Sequence, residues 1–329
     1  MWSINPYPHE AADRGIPGRS SSHLRWRNVL HGRQWPTPAQ TRKVHRTTFL
    51  AIAAAALVAT ALGARLDILD LPLLAAIIIL VLGVPHGAFD AALADRRFTL
   101  DSTWRLALFI LGYLMIAAAV AALWFALPAA ALCAFLAYSA AHFADDWAGE
   151  VEALPRMMVG AAIVSLPSVT HPEQVAVIFG WMTRADIAET VTAGLRVVGI
   201  VAANAAIAIV VAIGLRAPRV ALEIAAVLAL AATVPPLTFF VLYFCLLHSV
   251  RHTFDAHERL RPSSLVSFAR SALPYALAAM AGTITIGLVL FRVEPGQGVL
   301  TAVFIVLAAL TVPHMLLETM LGRSPRELG

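Results

Sequence analysis

Five histidines lie where histidine is costly. His86 sits in Gly83-Val84-Pro85-His86-Gly87, His142 in Ala141-His142-Phe143, His248 and His252 in His248-Ser249-Val250-Arg251-His252, and His314 in Val312-Pro313-His314. Each stretch is inside, or at the end of, a long apolar run. Imidazole is polar, ligates metals, and is expensive to place in hydrocarbon. A chain that spends five histidines this way is expected to build one buried metal site. The chemistry to look for is that of a membrane metalloenzyme.

Local spacing sharpens this expectation. His248 and His252 are four apart, so on a helix both rings share one face, a turn apart, and can grip one ion. The plain alternative is an interfacial pair at a membrane boundary. His86 precedes Asp90 by four residues, and a carboxylate one turn away can hold an imidazole in its ligating tautomer. Gly83 and Gly87 permit close approach of a neighbour, and Pro85 breaks a backbone bond. His142 stands in the same relation to Asp145, although Asp145 and Asp146 can equally mark the end of a span. His314 follows Pro313 and precedes Glu318 by four. It is a candidate fifth ligand, a supporting residue or part of a substrate pocket. Neutral imidazoles without thiolates suit Fe, Zn, Cu or Ni. Spacing does not choose iron over zinc, but Fe(II) in a dry membrane cavity fits oxidation of a lipid-soluble substrate.

The elements that must carry these residues are membrane helices. Hydrophobic residues make up 60% of the 329-residue chain and charged residues 13%. Soluble domains carry about 25% charged residues, so lipid is the solvent for most of this chain. Cys133 and Cys245 both lie in apolar runs and imply no disulfide framework. The expected fold is an all-α polytopic bundle of about 8–10 spans. Residues 1–47 read as a basic, disordered cytoplasmic leader, 48–320 as one transmembrane domain, and 321–329 as a short cytoplasmic tail. The leader holds seven arginines and Lys43. A nucleic-acid arm is conceivable for such a run, but a cytoplasmic anchor obeying the positive-inside rule is favoured, with no nucleic-acid partner. Its histidines, His9, His23, His31 and His45, are expected to be solvated.

Apolar runs predict spans near 48–65, 71–94, 104–126, 129–147, 157–170, 191–214, 219–234, 235–253, 271–291 and 299–320, with an ambiguous piece at 175–182. Inner loops then collect twelve arginines, from Arg96 to Arg326, and outer loops only Arg65, Arg184 and Arg292. That asymmetry predicts both termini in the cytoplasm. The five histidines fall on even-numbered spans, all crossing in the same direction. At about 1.5 Å per residue, His86, His142, His248 and His314 lie roughly 6–8 Å past the bilayer centre, and His252 a turn deeper. Scattered packing histidines have no reason to share a depth.

With these residues in view, the chain resembles the bacterial Brp/Blh family of β-carotene 15,15′-dioxygenases. The resemblance is carried by Gly83-Val84-Pro85-His86-Gly87-Ala88-Phe89-Asp90, His142-Phe143-Ala144-Asp145, His248-Ser249-Val250-Arg251-His252 and Pro313-His314, in the family's order. It covers about 71–320 and leaves the basic leader unexplained. It implies an inner-membrane enzyme that binds Fe(2+) through His86, His142, His248 and His252. It also implies cleavage of the central double bond of β-carotene with O2, giving two retinals. The carotenoid is expected to enter from the lipid bilayer into an apolar tunnel, with Phe89, Tyr138, Phe143, Phe240, Tyr243 and Phe244 as candidate lining. A retinal-binding rhodopsin is the expected consumer of the product. Two other classes fit histidines in membranes: a histidine-box hydroxylase or desaturase, whose usual paired histidines are missing here, and a non-catalytic haem- or metal-carrying subunit.

Overall fold

The computed structural model describes residues 37–290 and 295–322. The beginning of the expected leader and the end of the expected tail, with Arg292, therefore lie outside the described residues. The chain divides into Met1–Thr41 and Arg42–Gly329. Of the first unit, residues 37–41 are described. The Thr37 hydroxyl accepts from the Gln40 amide at 3.3 Å and the Gln40 side-chain oxygen from the Thr37 amide at 2.9 Å. This is a capping box that starts a helix. Residues 38–47 are accordingly helical, whereas the sequence suggested a disordered leader running to residue 47.

The described residues are helical, with no strand. In chain order the helices are α1 (Pro38–Ala61), α2 (Pro72–Phe98), α3 (Thr103–Ala126), α4 (Pro128–Ala144), α5 (Ala153–Thr170), α6 (Pro172–Met182), α7 (Ala185–Gly214), α8 (Pro218–Thr233), α9 (Pro236–Leu260), α10 (Leu265–Leu290) and α11 (Pro295–Leu321). Eight of them are long and apolar enough to cross a membrane. The 17-residue α4 and 16-residue α8 are shorter but equally apolar, and fall where spans were expected. The ambiguous stretch resolves into a crossing helix, α5, and the short α6, separated at His171. Proline recurs at the first helical position, as in Pro72, Pro128, Pro172, Pro218 and Pro236. The ring fixes φ, and the missing N–H is one the helix start leaves unpaired anyway.

Burial sorts the helices into an inner and an outer set. In its most apolar window α11 is 67% buried and α9 is 56% buried, against 6% for α3 and 17% for α7. α11 and α9 therefore form the middle of the bundle, while α3 and α7 present leucine, valine and isoleucine outward, as a lipid-facing helix must. α5 packs closely on α4 and α7. A Cβ at Gly160 would overlap the Ala140 carbonyl oxygen, so only glycine lets α5 approach α4 this closely, two residues from His142.

Two inner helices change pitch immediately before their histidines. α2 passes through a π-helical segment, Ile79–Gly83, into a 3₁₀ segment, Val84–Phe89, where Pro85 cannot continue the α-helical ladder. α9 is π-helical over Val241–His248. Such segments recur at functional sites because they rotate the side chains that follow.

Candidate metal centre

α2 supplies His86, α4 His142, α9 His248 and His252, and α11 His314. The five rings converge. Ring centroids are 4.6 Å apart for His142–His248, 4.4 Å for His248–His252, 5.0 Å for His142–His252, 5.5 Å for His86–His314 and 6.5 Å for His86–His142. His86 and His248, the pair whose separation most directly tests a shared site, are 5.4 Å apart. Two sets have ligand atoms within 4.8 Å of one another: His86, His142 and His314, and His142, His248 and His252. The histidines outside the cluster behave differently. His45, on α1, donates from Nε2 to the Leu246 carbonyl oxygen of α9 at 2.7 Å rather than being solvated. His257 packs its ring on Phe268, and His171 pairs with Thr170. His9, His23 and His31 lie outside the described residues.

The outward nitrogens are held by protein groups. His248 Nδ1 lies 3.2 Å from Asp146 Oδ1, and the Tyr243 hydroxyl donates to Asp146 Oδ2 at 2.6 Å. His314 Nδ1 lies 2.9 Å from Asp90 Oδ1, and the Tyr113 hydroxyl donates to Asp90 Oδ2 at 2.8 Å. His86 Nδ1 lies 2.5 Å from the Gly83 carbonyl oxygen, with the Ser249 hydroxyl 3.3 Å away. An acceptor at Nδ1 fixes the proton there and leaves the Nε2 lone pair facing inward. A Cβ on Gly83 would stand 2.5 Å from Phe244, whose ring lies against His86, so this turn cannot carry a larger residue.

These residues fit a metal ion. Nε2 of His248 and of His142 are 3.1 Å apart, near the roughly 3–3.5 Å edge set by metal–nitrogen bonds of about 2.0–2.1 Å. Nε2 of His252 and of His314 are buried without a hydrogen-bond partner among the described residues. An orphaned buried nitrogen is rare in a folded protein and calls for an occupant.

A layer of charge stands behind the cluster. Glu223 is fully buried on α8. It accepts from Arg251 at 2.5 Å, Trp147 Nε1 at 2.9 Å and Arg46 at 2.9 Å. Arg251 also donates to the Asp146 carbonyl oxygen at 2.8 Å. The carboxylate thus ties α1, α8 and α9 to the turn that presents Asp146.

The expected carboxylate pairings are redistributed. Asp90 meets His314 of α11 rather than His86 in its own helix. In a 3₁₀ segment successive residues turn by about 120°, so positions 86 and 90 no longer share a face. Asp146, not Asp145, reaches the cluster. α4 ends at Ala144 and the tight turn Asp145–Trp147 buries Asp146 while Asp145 faces outward, 3.4 Å from Arg156. Glu318 pairs with Arg259 at 2.8 Å. Sequence reading did not single out Tyr113, Glu223 or Arg251. Glu223, an acid within the apolar run of α8, carried the clearest signal.

Two cavities reach the cluster and a third lies near it. A polar one of about 350 Å³ is lined by His86, His142, His252 and His314 together with Asp145 and Glu318. An apolar one of about 440 Å³ reaches His86 and His314 from between α2, α3, α10 and α11. A smaller apolar one of about 120 Å³ includes Phe143, Phe240 and Tyr243. Of the other aromatics expected along a tunnel, Phe89 stacks on Phe268, Phe244 lies between Phe240 and His86, and the Tyr138 hydroxyl donates to the Val312 carbonyl at 3.5 Å. None of the six expected aromatics walls the larger apolar cavity.

The family profile described as beta-carotene 15,15′-dioxygenase matches residues 77–322. A beta-carotene 15,15′-dioxygenase from an uncultured marine bacterium, 66A03, is 31% identical over 252 residues, covering 73% of this chain and 90% of the relative. No solved structure matches the chain. A multi-pass helical bundle with buried histidines that could hold a metal, matched by this profile over most of its length, belongs to the beta-carotene 15,15′-dioxygenase family.

Proposed function

We propose that this protein is a membrane non-haem iron dioxygenase that splits the central 15,15′ double bond of β-carotene with O2. One C40H56 molecule and one O2 give two molecules of retinal, C20H28O, so no external reductant is consumed. His86, His142, His248 and His252 would hold the ion, with His314 as a fifth ligand. The observation that carries this reading is the pair of buried, unpartnered Nε2 atoms of His252 and His314 within a five-imidazole cluster beside an apolar cavity. When bound, ferrous iron supplies the redox chemistry that O2 needs to react with a closed-shell polyene.

The chain's own residues do the rest. Asp146, Asp90 and the Gly83 carbonyl hold protons on Nδ1 of His248, His314 and His86, leaving their Nε2 lone pairs free to ligate an ion. Packed helices keep bulk water from the apolar side, where the substrate would lie with its central bond at the cluster. Arginine placement supports a bacterial inner-membrane location with both termini cytoplasmic and the polar cavity on the cytoplasmic side. The 48–320 stretch reads as one transmembrane domain. Retinal released here would pass to a retinal-binding protein such as a rhodopsin.

Expression in β-carotene-producing cells tests the reading. The expected result is loss of carotene colour with retinal accumulation, and about one iron per chain in anaerobically purified protein. Active protein that contains stoichiometric zinc and no iron would overturn the redox assignment, and a Soret band would point to a haem-carrying subunit.

A further inference from the structure

The larger apolar cavity is walled on one side by α11 and on the others by α2, α3 and α10. Both α3 and α10 pack on α11. Leu114 of α3 and Ile286 of α10 line the cavity, yet are 54% and 38% exposed. On the lipid-facing surface of the bundle this means that the cavity has a mouth between α3 and α10. Its inner end touches His86 and His314.

The walls are chemically hydrocarbon. The hydroxyl of Thr283 donates to the Ala279 carbonyl at 2.7 Å and that of Thr311 to the Leu307 carbonyl at 2.6 Å. Tyr113 spends its hydroxyl on Asp90. These groups are satisfied within the protein, so away from Tyr275 and the histidine end the lumen offers mainly dispersion contacts and rings. At about 440 Å³ the cavity falls in the roughly 300–1,000 Å³ range of small-molecule sites. The second apolar cavity, about 120 Å³, is much smaller.

We infer that the cavity between α3, α10 and α11 holds one ring-ended C20 arm of the carotenoid, and that its mouth between α3 and α10 is where the substrate enters from the lipid. The inference rests on the proposed carotenoid cleavage and adds where the substrate lies. Small residues make the room. A Cβ at Gly87, beside His86, or at Gly282, in α10, would meet no atom within 4 Å. Both glycines border the cavity, so a side chain built there starts from an unobstructed Cβ and takes up the place of the arm. Apolar burial of an arm offsets the loss of its freedom in the bilayer only through shape, since lipid is as apolar as the cavity. Filling the cavity should therefore exclude the substrate outright rather than merely weaken it.

The test compares Gly282→Trp with Leu277→Trp in the full-length protein. Leu277 is on the same helix, is 54% exposed and does not line the cavity. Gly282→Trp should lower β-carotene cleavage at least tenfold with unchanged iron content. It should also lower the β-carotene retained by detergent-purified, anaerobic protein, read from its visible absorption. Leu277→Trp should match the parent in cleavage, iron content and retained β-carotene. Normal β-carotene cleavage by Gly282→Trp would overturn the inference, as would lost cleavage with retained β-carotene unchanged. If the parent retains β-carotene and Gly282→Trp does not, but the parent forms no retinal, the cavity stands and the cleavage reading fails.

Discussion

Replacing Asp90 by Asn isolates the group that stands behind His314. The carboxylate accepts from His314 Nδ1 at 2.9 and 3.0 Å and from the Tyr113 hydroxyl at 2.8 Å. Asparagine has nearly the same shape. Its oxygen can still accept from His314, and its amide can donate to Tyr113 if that hydroxyl turns toward the Leu310 carbonyl, 3.4 Å away. What the substitution removes is the charge on the acceptor. Hydrogen bonds to charged groups contribute about 1.5–3 kcal/mol and neutral ones about 0.5–1.5 kcal/mol. Two such bonds made neutral cost about 2–3 kcal/mol, or roughly 30–150-fold in an equilibrium constant. That agrees with the general cost of losing a residue that orients a metal ligand. The assay is anaerobic titration of metal-free protein in detergent with Fe(II) against a competing chelator. Asp90→Asn should weaken binding by that factor with the helical content unchanged, and Tyr113→Phe, which leaves the Asp90–His314 bond in place, by less. Parental affinity in Asp90→Asn would show that His314 is not held for metal binding, and would remove α11 from the site.

Alanine at His86, His142, His248 or His252 should each abolish retinal formation and deplete purified protein of iron while leaving membrane insertion intact; full activity in any one would exclude that residue from the cluster's chemistry. Glu223→Gln leaves Arg46 and Arg251 facing a neutral group inside the bundle, and breaking a buried pair costs about 3–5 kcal/mol. A thermal melt in detergent should show a clear drop, and an unchanged midpoint would mean that the two arginines find other partners. Gly160→Ala should destabilise the protein by about 1–3 kcal/mol and lower its iron content, because the new methyl pushes α5 from α4 beside His142. A variant as stable and as iron-rich as the parent would show that the two helices can part at little cost.

Much of the fold is legible in the chain itself. Long apolar runs with few charges admit only membrane helices, since lipid leaves no other way to satisfy the backbone. Prolines mark helix starts, and histidines in apolar surroundings mark the candidate site by their cost. His248 and His252 needed only helical spacing to be placed side by side. What the linear pattern does not contain is which element faces which. Asp90 looks like a partner for His86 only if the helix between them is regular, and Pro85 makes it irregular. Asp145 and Asp146 differ by one position, and a tight turn decides which of them is buried.

The cavities are further still from the sequence. Aromatics near the histidines are legible as neighbours in the chain, yet Phe89 and Phe244 fill core space while the larger cavity is bordered by the small residues Gly87, Ala278 and Gly282. A cavity is made by what side chains on separate helices do not fill, so no single segment encodes it. The chain by itself determined a membrane bundle and the residues that would bind a metal. Only the packing of α2, α4, α9 and α11 against one another decided that five imidazoles cluster in two overlapping sets that share His142, which carboxylates stand behind them, and which cavities reach them. Ligation and substrate access depend on distances of a few ångströms between elements far apart in sequence, and those distances are set by tertiary contacts such as Gly160 on Ala140 rather than by local propensity.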